Sequence, residues 1–202
     1  MCWPAGKHSE NGMHHFLETI PAKRRIRLFW FFLFLVILLM VVFNWLGVPL
    51  ATAAAPNGMI SYELAGTPAK SQSILDSWNA HAQLLAAFSL GLDYLFMLVY
   101  ASALALACLW AGGSLAEHGW PLANISRWLA WGAYLAAALD AVENAALVQQ
   151  LLAGAGELPA RLAQICAALK FGLIFIGLVY VFYALASRLV SRGSGQSSAS
   201  IH

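Results

Sequence analysis

The chain has 202 residues, of which 61% are hydrophobic and only 10% charged, and its formal net charge is +2. Typical soluble chains are roughly 45–50% apolar and about 25% charged, so this one lacks the polar shell that an aqueous domain needs. With a mean hydropathy of +0.70, its expected outer solvent is lipid; no nucleic-acid partner and no cofactor is expected.

Residues 1–27 read as a cytoplasmic leader. Cys2, Trp3, His8, His14 and His15 follow no periodicity, and two adjacent histidines without a partner at ligand spacing make no metal site, so this part is expected to be mobile and solvated. Lys23, Arg24, Arg25 and Arg27 close the leader with a cluster of positive charge.

Four runs are long enough to cross a bilayer core of about 30 Å, which takes about 20 helical residues. They extend from Leu28 to Leu46, Leu84 to Trp110, Ile125 to Leu151 and Leu162 to Leu185. The last three are rich in Ala, Leu and Gly, and their polar residues recur at helical spacing, which predicts helices and not barrel strands. The expected fold is all-α: an integral membrane antiparallel four-helix bundle spanning residues 28–190. The first run and the following Ala51–Ala55 stretch imitate a secretory signal peptide, but signal-peptide cores have only about 7–15 residues, so a retained span is expected.

Residues 47–83 form the longest external stretch, punctuated by Pro49, Pro56, Asn57-Gly58 and Gly66-Thr67-Pro68. Thr67 has the chemistry of an N-cap with Pro68 at the first helical position. Ile74, Leu75, Trp78, Ala82 and Leu85 then repeat at helical spacing, predicting an external amphipathic helix that lies on the membrane surface and feeds into the second span. The whole stretch is expected to seal the outer mouth of the bundle, a substrate-admitting lid being the alternative.

Lys and Arg near span ends stay preferentially on the cytoplasmic side. The leader cluster, Arg127, Arg188 and Arg192 place both termini in the cytoplasm. Arg161 dissents, but Glu157 stands four residues before it and is placed to pair with it on a helical turn. The expected location is the bacterial inner (plasma) membrane, with residues 191–202 as a flexible cytoplasmic tail. Cys2, Cys108 and Cys166 are too dispersed to bridge and read as packing residues.

The most informative residues are four ionisable side chains inside the spans: Asp93, Asp140, Glu143 and Lys170. Charge at membrane depth is costly and usually functional. At about 1.5 Å rise per residue, all four lie about 12–17 Å below one surface, so three helices can deliver them to one layer. Asp140, Glu143 and Asn144 share a helix face at i, i+3 and i+4. Ala133, Ala137, Ala141 and Ala145 form a small-residue ladder beside them that favours close helix packing. Ser89, Asp93, Met97 and Tyr100 share a face on the second span, as do Cys166, Lys170, Leu173 and Gly177 on the fourth.

Asp93, Asp140, Glu143, Asn144 and Lys170 are therefore the ligand- or ion-binding candidates, with Ser89, Tyr100 and Tyr134 as secondary ones. Three acids and one ammonium leave excess negative charge, which a bound proton or a hard cation at Asp93, Asp140 and Glu143 would relieve. No His or Cys accompanies them, which argues against zinc or copper. The expected function is a site for a proton, a small cation or the head group of an amphiphilic lipid, open to the outer side. A membrane-embedded enzyme acting on a lipid or isoprenoid by acid/base chemistry and a structural subunit with a polar interhelical clasp are the alternatives. The inner halves of spans two and four carry no acid or base, which weighs against transport through the bundle. Neither Leu90-Gly91-Leu92-Asp93-Tyr94 nor Leu139-Asp140-Ala141-Val142-Glu143-Asn144 matches a motif with a known mechanism.

Overall fold

The structure, a computed structural model, describes residues 15–197 and their side chains as far as Ser191. The expectations for residues 1–14, including Cys2, His8 and His14, and for residues 198–202 lie outside the described residues. Among those described there is no strand. The helices are α1 (Ala22–Gly47), α2 (Met59–Glu63), α3 (Pro68–Ser77), α4 (Ala80–Glu117), α5 (Ser126–Ala153) and α6 (Glu157–Ser197), with short 3-10 turns at Phe16–Thr19, Val48–Leu50 and Ala123–Ile125.

Three helices, α1, α4 and α6, are long and apolar enough to cross a membrane. The 38 residues of α4 extend about 57 Å, well beyond a bilayer core of roughly 30 Å. α5 has the length but not the hydropathy, because Asp140, Glu143, Asn144, Gln149 and Gln150 dilute its alanines and leucines. It packs on both α4 and α6, while α1 packs on α4. α6 also continues as helix through residues 191–197, which the sequence assigns to the tail; that stretch contains no proline to stop it.

Two ends can be distinguished. At the basic end, Arg127 at the start of α5 pairs with Glu18 at 2.9 Å, and Trp120 donates to the Ser191 hydroxyl at 3.2 Å. At the opposite end, residues 48–79 fold down onto the helices as a cap. Tyr62 donates its phenolic hydrogen to the Leu147 carbonyl at 3.0 Å, Trp78 donates to Leu50 at 2.9 Å, and the Ala155 amide in the α5–α6 turn donates to Gln72 at 3.0 Å. The Glu157–Arg161 pair forms on the first turn of α6, as its i, i+4 spacing implies.

The cap corrects one expectation. Thr67 does cap α3, accepting from the Lys70 amide, with Pro68 in the first turn, but the helix does not run on into the second span. It stops at Ser77, and Asn79 starts α4 by accepting from the Ala82 amide at 2.9 Å. Gln83 reaches back to the Leu75 and Trp78 carbonyls, both at 3.2 Å, satisfying the end of α3 at the corner. The apolar face of α3 is not laid on a membrane surface: Ile74, Leu75 and Trp78 are buried inside the protein.

These contacts divide the interior into two hydrophobic clusters. One joins the cap to the adjoining helix ends through Leu50, Tyr62, Ile74, Trp78, Leu90 and Leu147. The other fills the bundle toward the basic end through Met97, Ala101, Leu104, Leu115, Ala133 and Tyr180. Along α4, Leu90 belongs to the first and Met97 to the second, with Asp93 between them. Along α5, Ala137 and Ala146 flank Asp140, Glu143 and Asn144 in the same way. A polar layer separates the two cores.

Candidate functional site

Lys170 is the centre of that layer. Its ammonium lies 2.6 Å from Asp140 Oδ1 and 2.9 Å from Glu143 Oε2, and donates to Glu143 Oε1 at 3.0 Å. It straddles the Glu143 carboxyl: only the Oε1 contact is aligned as a hydrogen bond, and Oε2 is buried without a hydrogen-bond donor. Asp140 is held from both sides, because Tyr100 donates its phenolic hydrogen to Oδ2 at 3.0 Å. Asn144 donates to Asp93 Oδ2 at 2.7 Å, which brings α4 into the same layer. The spacing argument thus places Asp93, Tyr100, Asp140, Glu143, Asn144 and Lys170 together for a simple reason. Each faces inward at one depth, and nothing else at that depth satisfies a buried charge.

A fourth carboxyl completes the layer and was invisible to periodicity. Glu63, the last residue of α2, points down from the cap and places Oε2 3.7 Å from the Lys170 ammonium. It thereby shares that ammonium with the Glu143 carboxyl, whose Oε2 is 2.9 Å from it. Burial pushes the Glu63 carboxyl above its ordinary range, with the Lys170 ammonium opposing that shift and the Asp140 carboxylate reinforcing it. The only sequence signal was an acid wedged between the apolar residues Ile60, Tyr62 and Leu64. That tells that the acid is unusual, not where it goes.

Two secondary candidates stand apart from this network. Tyr134 faces the basic end, where its hydroxyl is 3.2 Å from that of Ser102 and its ring packs against His15 and Phe16. Ser89 is buried one turn nearer the cap than Asp93, and it contributes a small inward surface. In the alanine ladder, Ala133 and Ala137 are buried, but Ala145 is exposed; at that level Ala146 makes the interior contact instead. Cys108 and Cys166 are buried free thiols.

No group of three or more His, Cys, Asp or Glu among the described residues is arranged to hold a metal ion. The Lys170 ammonium occupies the point between Asp140 and Glu143 that a hard cation would need. Two surface depressions, of about 280 and 360 Å³, are lined by cap residues such as Pro56, Ile60 and Lys70 and by Val142, Ala145 and Gln149. Neither is lined by an acid of the layer.

The leader supplies a second departure from expectation. His15 is buried, not solvated. Its ring lies between Phe16 and Trp131, its Nδ1 accepts from the Leu17 amide at 3.2 Å, and Glu18 accepts from its backbone amide at 3.1 Å. His15 Nε2 is buried without a hydrogen-bond partner. Burial lowers the His15 pKa from its ordinary value of 6.5, against the opposing attraction of Glu18.

No protein-family model, curated protein or solved structure matches the chain. Its function has to be inferred from the geometry of the polar layer.

Proposed function

We propose that this is an integral membrane protein in which α1, α4, α5 and α6 form an antiparallel four-helix bundle, and that the polar layer is a proton-binding site. Three apolar helices support the membrane location, and the packing of α5 on α4 and α6 supports its inclusion as the fourth span. The positive residues at the basic end favour cytoplasmic termini, with the cap on the far side of a plasma membrane, the bacterial inner membrane being the expected one. Reporter fusions after Ala65 and after Gly193 should then report opposite sides of the membrane.

One observation carries the functional reading: three carboxyls, Glu63, Asp140 and Glu143, converge on a single ammonium with a fourth, Asp93, held beside them by Asn144, and Glu143 Oε2 is buried without a hydrogen-bond donor. Two adjacent carboxyls in a low-dielectric interior are stable only when a proton is shared between them or a cation intervenes. The ammonium already fills the cation position beside Glu143. A proton is therefore favoured over a metal cation, and also over an amphiphile head group, because the side chains of Asp140 and Glu143 are only 4% and 0% exposed.

That last observation also favours a second reading, a purely structural clasp. The two diverge under charge removal. Lys170→Met leaves acids without their counter-ion and should destabilise the bundle, and adding Asp140→Asn should restore stability under either reading. A clasp would then be fully recovered, with no pH response lost that the original protein possessed. A proton site would regain its fold without regaining the original pH-dependent proton uptake.

A further inference from the structure

Three of the carboxyls belong to the long helices, and the fourth comes from the cap. The side chains of Asp140, Glu143 and Lys170 are 4%, 0% and 6% exposed, whereas that of Glu63 is 14% exposed. Its contact with the ammonium is also the longest of the three, 3.7 Å against 2.6 and 2.9 Å. Asp93 is half-buried too, but it belongs to the long helix α4, thirteen residues from its start.

The backbone around Glu63 is pinned on both sides. Tyr62 is bonded to Leu147 on α5, and Gln164 of α6 reaches the Leu64 carbonyl at 3.5 Å. Gly66 turns the chain at φ +74° against the Gln164 amide, so closely that an added Cβ would collide with its side-chain oxygen. α2 itself is only five residues long. The cap therefore holds one partly exposed acid against the more deeply buried Asp140 and Glu143, 3.7 Å from the ammonium that they share.

We propose that Glu63 is the port through which the polar layer exchanges protons, so that the site communicates with the solution on the cap side alone. This rests on the proton-binding reading of the layer and adds its route and sidedness. A proton from water binds one Glu63 carboxylate oxygen and then passes to Glu143, which shares the Lys170 ammonium with it. Glu63 returns to a carboxylate as Glu143 becomes a carboxylic acid, and the total charge of the pair is unchanged. Lys170 and Asp140 face the same pair from α6 and α5, and Asp93 from α4; they set the field in which the proton moves. Toward the basic end the next buried layers, built around Met97, Ala101, Leu104 and Ala133, contain no carboxyl.

The test uses the full chain in lipid nanodiscs and reads the infrared carbonyl stretch of protonated carboxyls. After transfer to heavy water, the wild-type band should shift quickly. Glu63→Gln should keep a band from the remaining acids but slow the shift by roughly a hundredfold, the lower range of what a positioned acid–base group contributes. Glu63→Asp, which keeps a carboxyl, should recover much of the rate. Exchange of Glu63→Gln at the wild-type rate would overturn the port. A wild-type protein without any such band at any pH would instead remove the proton-site reading beneath it. Should Glu63→Gln not fold, wild-type protein oriented in liposomes still decides: the band should follow a pH jump made on the cap side, and a response to a jump on the basic side alone would refute the port.

Discussion

Tyr100 and Asp140, on neighbouring helices, are joined by a buried hydrogen bond of 3.0 Å on the carboxylate oxygen that Lys170 leaves free. Tyr100→Phe removes only the hydroxyl and keeps the ring that packs on Phe96. Buried hydrogen bonds to charged groups contribute about 1.5–3 kcal/mol in water-soluble proteins, and interhelical ones in lipid average less. We expect Tyr100→Phe to cost about 1–2 kcal/mol in detergent unfolding. Unchanged stability would mean that Asp140 finds a replacement donor.

Glu63 makes stability depend on pH with a definite sign. Its carboxyl is pushed up in the folded state, so folded protein binds this proton more tightly than unfolded chain, where Glu titrates near about 4.3. Its contribution to stability is full below that value and declines as pH rises through the folded value. Melting temperature should fall with rising pH across that window, and Glu63→Gln should flatten the decline. An equally steep decline in the variant would assign the effect to other acids.

Gly66→Ala tests how the cap is held. The left-handed φ of +74° costs a residue with a Cβ about 1–2 kcal/mol, and the new methyl also collides with the Gln164 side chain. Combining Gly66→Ala with Gln164→Ala should relieve the collision but not the backbone cost. The expected result is partial rescue in thermal unfolding; complete rescue would show that the turn tolerates the alanine backbone.

Much of the polar layer was legible in the sequence because a charge inside an apolar helix has few places to go. The i, i+3, i+4 set Asp140, Glu143 and Asn144, together with Asp93 and Lys170 at equal depth, follows from helical rise alone. Glu63 did not, since its approach to Lys170 spans more than a hundred residues and depends on how the cap folds back over α5 and α6. Local periodicity also joined α3 to α4. Periodicity does not register that the Asn79 side chain competes for the Ala82 amide and ends one helix to begin another. The burial of His15 is not legible in the leader, because it is created by contact with the rings of Trp131 and Tyr134 on α5, more than a hundred residues away.

His15 predicts an acid-sensitive contact at the basic end. Its pKa is lowered on folding from 6.5, so its contribution to stability is present above that value and is lost as pH falls through the folded value. Protonation would also abolish the acceptor that holds the Leu17 amide. Hydrogen exchange at Leu17 and Glu18 should accelerate below about pH 6.5, and His15→Gln should remove the acid dependence. Protection that stays constant down to the folding limit would show that the leader is held by other contacts.

The most direct test of a proton-binding layer is an infrared pH titration of the intact protein in nanodiscs, compared with Glu143→Gln and Asp140→Asn. If the acids around Lys170 share a bound proton, the protein retains a protonated-carboxyl band at neutral pH, the band disappears only under more alkaline conditions, and both variants change its intensity or position. A protein whose carboxyls all ionise in the ordinary range near about 4, with no band left at neutral pH, would contradict the account.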